Sequence, residues 1–352
     1  MIRKIGILTS GGDSPGMNAA VVSVARCAAA QGIQLMGIKR GYNGLLGLSD
    51  NPDDDITALD LETILDIADQ GGTFLRTARC LAFKEADVRR EAAGHLRDLG
   101  IDALVVIGGD GSYTGAMRLC ELGIPCVGIP GTVDNDLGYT EMTLGFDTCV
   151  NVCVDAVRSI RATSRSHDRR GIVQVMGRYC GDVAMQTAMS TGAEMVIVPE
   201  MEWSIEMIAN RFKALTERGN YRATCIISEH CWDNMKEIDT WRDYMKQYDP
   251  DIHEHSKINA ERLASMIQHM SGCETRATVV GYTQRGALPT AKDSAFAFEA
   301  GHLAVKLLHD GISNQVIGTR HGRVFHMGIE DALKEEHSFR HDLYKLVNDI
   351  RD

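Results

Sequence analysis

Three times along this chain a short apolar run ends in a glycine-bearing turn, passes into a helical stretch and reaches a second apolar run. That order restricts the fold more than any other feature. Successive strands joined through a helix lie parallel, and a parallel sheet needs helices on both faces. The first unit spans residues 2–38: Ile2 to Leu8, the loop Thr9 to Gly16 (TSGGDSPG), then Met17, Ala20, Val21, Val24 and Ala28 at helical spacing before Gly32. The second runs through Ala103 to Ile107, GGDGS at 108–112, a helical stretch near 113–122 and the strand Pro125 to Ile129. The third runs through Ile172 to Met176, GRYCG at 177–181, a helix to about Thr191 and Met195 to Val198. Two more apolar strands, Ala223 to Ser228 and Ala277 to Gly281, run straight into polar residues, Glu229 with His230 and Gln284 with Arg285. In open α/β sheets ligands sit at the carboxyl ends of strands, so these polar ends are candidates for binding. A helix at 292–309 is closed by Gly311, and residues 232–258, acidic and aromatic without a clear period, read as a surface insertion with some helix.

At roughly 100 to 200 residues per domain, 352 residues predict two or three domains. No apolar run approaches the ~20 residues of a membrane span. Glycine, 35 of 352 residues, exceeds the usual ~7% while only 7 prolines occur, so the glycines answer to position and not to low complexity. The ten cysteines contain no CxxC pair and fall mostly in apolar segments, as buried thiols of a reducing cytoplasm do. With 37 Lys and Arg against 48 Asp and Glu the net charge is −11, which repels nucleic acid and anionic membrane. An anionic ligand therefore has to be met by a local cluster of arginines.

Gly108-Gly109-Asp110-Gly111-Ser112 follows a buried strand and opens a helix, the setting in which backbone amides and the helix dipole cradle phosphate. The same residues also suit a plain tight turn, and Asp110 suits either Mg²⁺ or a helix cap. The loop at 9–16 lacks the Gly-Lys-Ser/Thr ending of a Walker P-loop, which argues against that NTPase class. Pro130 to Asp136 (PGTVDND) places two carboxylates with Thr and Asn at a strand end, as a general base and its partners require, or as an Asp/Asn turn does. Arg161, Arg165, Arg169 and Arg170 crowd one segment, Arg178 follows a strand, and Arg276 and Arg285 flank another. Several guanidinium groups at strand ends of an acidic protein suggest a substrate that carries its own phosphate.

GGDGS, PGTVDND, MGRYCGD (176–182), SEH (228–230) and TRATVVGYTQRG (275–286), in this order, resemble bacterial-type ATP-dependent 6-phosphofructokinases, the phosphofructokinase A family, from Met1 to about Met327. NAD kinases and lipid kinases share only GGDG. The resemblance implies two doubly wound, Rossmann-like α/β domains: a nucleotide-binding domain of residues 1–144 plus 283–333 and a sugar-phosphate-binding domain of 145–282 plus 334–352, with the active site in the cleft between them. It implies a cytoplasmic glycolytic homotetramer that transfers the γ-phosphoryl group of ATP, with Mg²⁺, to the C1 hydroxyl of fructose 6-phosphate. Asp134 matches the catalytic base, with Thr132, Asp136 and Arg178 beside it, and Asp110 the magnesium residue. Gly12, Tyr42, Arg79, Cys80, Gly109, Asp110, Gly111 and Ser112 match nucleotide positions. Thr132, Asp134, Met176, Gly177, Arg178, Glu229, Tyr282 and Arg285 match sugar-phosphate positions. Arg169 and Arg276 match residues that reach a neighbouring subunit's site. Gly111 and Gly131 stand where similar pyrophosphate-dependent enzymes usually hold a carboxylate and a lysine, which points to ATP as donor.

Some positions depart from the family pattern. Tyr282 replaces a usual histidine, Ser294 an arginine, Cys80 an aromatic and Ala287 a glycine. Arg26, Arg161, Glu194, Arg218 and Arg222 fall on effector positions, but Val22 and Asn220 stand where basic residues are usual, so reduced or absent allostery is expected. Competing readings are the same fold acting on another phosphosugar, a non-catalytic regulatory paralogue and, from GGDG alone, an NAD kinase. The paralogue conflicts with the presence of Asp110, Thr132, Asp134 and Arg178, and the NAD kinase leaves the arginine set without a task.

Overall fold

The computed structural model describes residues 2–48, 54–236, 241–253 and 255–349. The chain divides into two compact units: Met1–Cys149 with Arg285–Ser338, and Val150–Gln284 with Phe339–Asp352.

The first unit is built on a seven-stranded sheet of β1 (Lys4–Thr9), β2 (Gln34–Ile38), β3 (Ile56–Ala58), β4 (Ala103–Gly108), β5 (Cys126–Pro130), β10 (Gln315–Arg320) and β11 (Arg323–Gly328), in the order β11-β10-β5-β4-β1-β2-β3. The five central strands run parallel, and β3 and β11 close the two edges antiparallel. Alternation along the strands serves two apolar layers. Ile5, Ile7, Val105 and Ile107 pack with the helices Met17–Ala30 and Ala291–His309 on one face. Leu8, Leu104 and Val106 pack with the helices Ala86–Asp98 and Asp110–Glu121 on the other. From β1 the chain winds one way through β2 and the other way through β4, so the strand order reverses between β1 and β4. That reversal opens a crevice at their carboxyl ends.

The second unit carries a four-stranded parallel sheet of β6 (Arg170–Val175), β7 (Met195–Ile197), β8 (Thr224–Ser228) and β9 (Thr275–Val279), ordered β7-β8-β6-β9. Ile172, Ile197 and Ile227 join a core with the helices Ile205–Glu217 and Ala260–Ser271. A 22-residue helix, Phe146–His167, begins in the first unit and continues into the second.

Two features differ from the sequence reading. The hairpin β10–β11 was not anticipated, since its strands are only partly buried and show weak apolar alternation. Within 232–258, the described residues Trp241, Met245, Ile252 and Ile258 are buried in the second core, so the aromatic content of this segment is packing and not display. The period is missing because a 3₁₀ turn, Cys231–Asn234, and a five-residue helix, Trp241–Met245, alternate with irregular backbone. All ten cysteines are free thiols. No helix among the described residues is long and apolar enough to cross a membrane.

Candidate active site

Two glycine loops abut where the strand order of the first unit reverses. After β1, the Ser10 N–H donates to Ile107 O at 2.9 Å, and Thr77 Oγ1 donates to Gly11 O at 3.0 Å. Gly11 has φ +97°, a backbone that only glycine adopts without strain. After β4, a Cβ on Gly108 would stand 2.6 Å from Ser10 O, so glycine is what lets the loops touch. Gly109 precedes the helix Asp110–Glu121, whose first N–H groups have no partners inside the helix, and a Cβ on Gly111 would meet nothing within 4 Å. Ser112 is buried. Its Oγ donates to Ser10 O at 3.3 Å, and its carbonyl accepts from Tyr42 Oη at 2.6 Å. Tyr42 is itself buried and stacked on Phe83 with centroids 4.0 Å apart, so it braces the loop from behind. Arg79 is exposed, and Cys80, half-buried, has its thiol pushed up by burial.

The carboxylate loop leaves β5 at Pro130. A side chain on Gly131 would meet Ile107 Cγ2 and Met17 Cε at 2.9 Å, so packing alone already demands glycine there. Asp134 donates its N–H to Thr132 Oγ1 at 3.2 Å. Asn135, at φ +57°, accepts the Thr143 N–H at 2.9 Å, and Thr143 Oγ1 donates to Thr132 O at 2.7 Å, which pins the loop on either side of Asp134. Although Asp110 as a residue is exposed, desolvation of its carboxyl, followed by the charge of Asp136, pushes it up to about 6. A carboxyl raised by burial and by a second carboxylate suits a hard divalent cation, whose ligands are oxygens. Arg285 lies against the first glycine loop. Its guanidinium carbon lies 3.4 Å from where a Cβ would stand on Gly12, its Nη1 is 3.9 Å from Asp13 Oδ1, and its Nε is buried without a hydrogen-bond partner.

In the second unit β6, β8 and β9 are neighbours, so their carboxyl ends gather 176–178, Glu229 and 280–282. Met176 is buried and donates its N–H to Gln284 Oε1 at 3.0 Å. Gly177 has φ +125°, and a Cβ on it would stand 2.4 Å from Cys180 O. The Arg178 guanidinium lies over the Tyr179 ring at 5.1 Å, and its Nε is buried without a hydrogen-bond partner, a donor suited to an anion. Glu229 donates its N–H to Val175 O at 2.9 Å. Tyr282 is 80% exposed. Arg169 and Arg276 share the carboxylate of Glu274, at 2.8 and 2.7 Å.

The sequence model of the phosphofructokinase family matches residues 4–308. The chain belongs to the phosphofructokinase family. ATP-dependent 6-phosphofructokinase 1 of Clostridium perfringens is 42% identical over 349 residues, covering 99% of each phosphofructokinase chain. ATP-dependent 6-phosphofructokinase of Clostridium botulinum strain Hall is 41% identical over 346 residues, covering 98% of each. The solved phosphofructokinase of Saccharomyces cerevisiae superposes with a TM-score of 0.78 at 29% identity over 94% of this chain, which spans 45% of that longer one.

Three contacts of this phosphofructokinase fold are not legible in the sequence, although Asp136 and Gln284 themselves are candidate residues there. Asp136 reaches the electrostatic environment of Asp110 from another loop. Gln284, fully buried, binds Met176 and also donates to Gly281 O at 2.9 Å. Glu274 gathers two arginines. No local signal marks any of them, because each acts across a distance in sequence.

At the expected effector positions of the second unit, Glu194 receives both Arg161 Nη2 contacts, at 2.8 and 2.9 Å. Glu194 also accepts from Asn220 Nδ2 at 2.9 Å and Thr224 N at 2.8 Å. A cavity of about 390 Å³ beside them is lined by Ala188, Arg211, Leu346 and Val347 as well as by Glu194 and Asn220.

Proposed function

We propose that this phosphofructokinase-family chain is an ATP-dependent 6-phosphofructokinase, moving the γ-phosphoryl group of ATP to the C1 hydroxyl of fructose 6-phosphate to give ADP and fructose 1,6-bisphosphate. The observation that carries this reading is the placement of Asp134, held by Thr132, Asn135 and Thr143 in the same unit as two abutting glycine loops. Backbone amides after β1 and β4 hold the nucleotide phosphates, and the open side of Gly111 leaves room for them. Asp134 orients the C1 hydroxyl and accepts its proton as the phosphoryl group leaves ADP. Arg79, Arg178 and Arg285 balance charge on the phosphates, and Met176, Gly177, Glu229 and Tyr282 fix the sugar phosphate. Asp110 and Asp136 fit Mg²⁺ as oxygen donors of net negative charge. Bound there, the ion supplies neutralisation of the phosphate oxygens.

Several further assignments rest on the resemblance. The first unit is the nucleotide-binding domain and the second the sugar-phosphate-binding domain. The enzyme works in the cytoplasm as a homotetramer in which Arg169 and Arg276, ordered on Glu274, serve a neighbouring subunit. Its allosteric response is weak, because Arg161 and Asn220 are already spent on Glu194.

The test is incubation of the full chain with Mg²⁺, ATP and a panel of sugar phosphates, following ADP release and identifying the product. Fructose 6-phosphate is expected to react in preference to the others. Asp134→Asn is expected to lower turnover by ~10² to 10⁴ with ATP binding largely kept. Absence of any bisphosphate from the wild-type chain refutes the assignment.

A further inference from the structure

Asp293 is a carboxylate with no exposed surface, in the first turn of the helix Ala291–His309. Its hydrogen bonds run to one place. Oδ1 accepts the Gly145 N–H at 2.9 Å, and Oδ2 accepts the Thr148 N–H at 2.8 Å and the Thr148 hydroxyl at 2.6 Å. These donors stand at the start of the helix Phe146–His167, where the first N–H groups find no acceptor inside the helix itself. Burial raises its carboxyl, the three hydrogen bonds hold it down, and the charge of Asp147 adds to the rise. A buried anion kept by directed hydrogen bonds tolerates little displacement, since each lost donor leaves part of the desolvation cost uncovered.

The segment held in this way leads into the carboxylate loop. Directly before Gly145, Leu144 donates its N–H to Pro130 O at 2.8 Å. Thr143 binds Asn135 Oδ1 through its N–H and Thr132 O through its hydroxyl. Gly145 itself has φ +101°, and a Cβ there would meet Ser14 Cβ at 2.6 Å and Pro15 Cδ at 3.0 Å, so the same residue presses on the first glycine loop. A second tie closes the arrangement from the other helix. Thr290 donates its N–H to Thr148 Oγ1 at 2.9 Å, while its own hydroxyl caps the Asp293 N–H at 3.3 Å.

We propose that Asp293 is a positioning residue for phosphoryl transfer: by anchoring Gly145 and Thr148 it holds the strap Thr143–Gly145, and through Thr132 and Asn135 it sets where Asp134 stands relative to the loop Ser14–Pro15. This inference rests on the reading of Asp134 as the base. Asp293 touches no reacting atom; it acts on the reaction through the strap. In-line transfer is sensitive to placement, and a shift of about 1 Å costs up to about a hundredfold in rate.

The test uses the full chain with Mg²⁺, ATP and fructose 6-phosphate, comparing the wild type with Asp293→Asn, Thr148→Val and Thr148→Ser. Asp293→Asn turns an acceptor towards donors as an NH₂ group, and kcat is expected to fall about tenfold to hundredfold while KM for ATP stays within about twofold. Thr148→Val removes only the hydroxyl and lowers kcat less, and Thr148→Ser restores it. Thermal melts run alongside, and if Asp293→Asn does not fold, the Thr148 pair decides. An active wild type whose folded variants keep kcat, lose kcat and ATP affinity together, or show no rescue by serine overturns the inference alone. An inactive wild type overturns the functional reading, and the inference with it.

Discussion

The guanidinium of Arg285 occupies the space in front of Gly12: its Cζ lies 3.4 Å, and both its terminal nitrogens 3.5 Å, from the point where a Cβ on Gly12 would be. An arginine of the short helix Thr283–Gly286 thus lies against the loop that follows the first strand. On the proposed reading, a phosphate at this loop meets backbone N–H groups on one side and the Arg285 cation on the other. Arg285→Ala removes charge-assisted hydrogen bonds of ~1.5 to 3 kcal/mol, and kcat/KM for fructose 6-phosphate is expected to fall about tenfold to hundredfold. Gly12→Val, whose methyl groups compete for the guanidinium's space, moves the same constant in the same direction. Steady-state kinetics on both variants check this, and unchanged constants in either refute it.

Tyr282 is 80% exposed, with its hydroxyl available as a neutral hydrogen-bond partner where the family usually has a histidine. A hydrogen bond to a charged group is worth ~1.5 to 3 kcal/mol against ~0.5 to 1.5 for a neutral one. Tyr282→His is therefore expected to tighten fructose 6-phosphate binding severalfold below about pH 6.5, where an ordinary histidine is protonated. Titration of the sugar phosphate into both proteins measures it, and equal affinities remove the argument.

Asp110 is pushed up to about 6 from an ordinary value of 3.8. Between those values the folded chain holds a proton that the unfolded chain has released, so metal-free stability falls as pH rises from about 4 to about 6 and levels off above. A cation bound to the carboxylates reverses the penalty where they are ionised. Mg²⁺ is expected to raise the melting temperature more at about pH 7.5 than at about pH 5, and Asp110→Asn to flatten that difference. Equal shifts for wild type and variant count against a metal at this residue.

Glu194 is engaged by Arg161, Asn220 and Thr224, with side chains of Arg161 and Glu194 only 15% and 11% exposed. A polyphosphate effector has to displace this arrangement and gains no second cation from Asn220 in return. The fructose 6-phosphate saturation curve is expected to be close to hyperbolic and to shift less than about twofold with ADP, an effect below ~0.5 kcal/mol. A strongly sigmoidal curve relieved by ADP contradicts this. Asn220→Lys is expected to increase the response.

The α/β class was legible because a buried parallel strand followed by a glycine turn and a helix leaves its pattern within consecutive residues, as in Ala103–Gly108 running into Asp110–Glu121. The insertion was misjudged as surface because its apolar side chains point inward from irregular backbone, where no period records the direction. Glu274, and the burial and partners of Gln284, were invisible for a different reason. A lone polar residue announces neither its burial nor its partners.

By itself the amino-acid order determined which loops carry glycines, which strand ends carry carboxylates and guanidinium groups, and hence the chemistry they could perform. Those are properties of neighbours in the chain, dictated by backbone sterics and side-chain charge. Only the tertiary structure decided that Asp136 bears on Asp110, that Arg285 faces Gly12, and that Asp293 anchors Gly145 at 2.9 Å. Each joins segments far apart in sequence, and such contacts exist only once strand order and helix packing have removed the water between them.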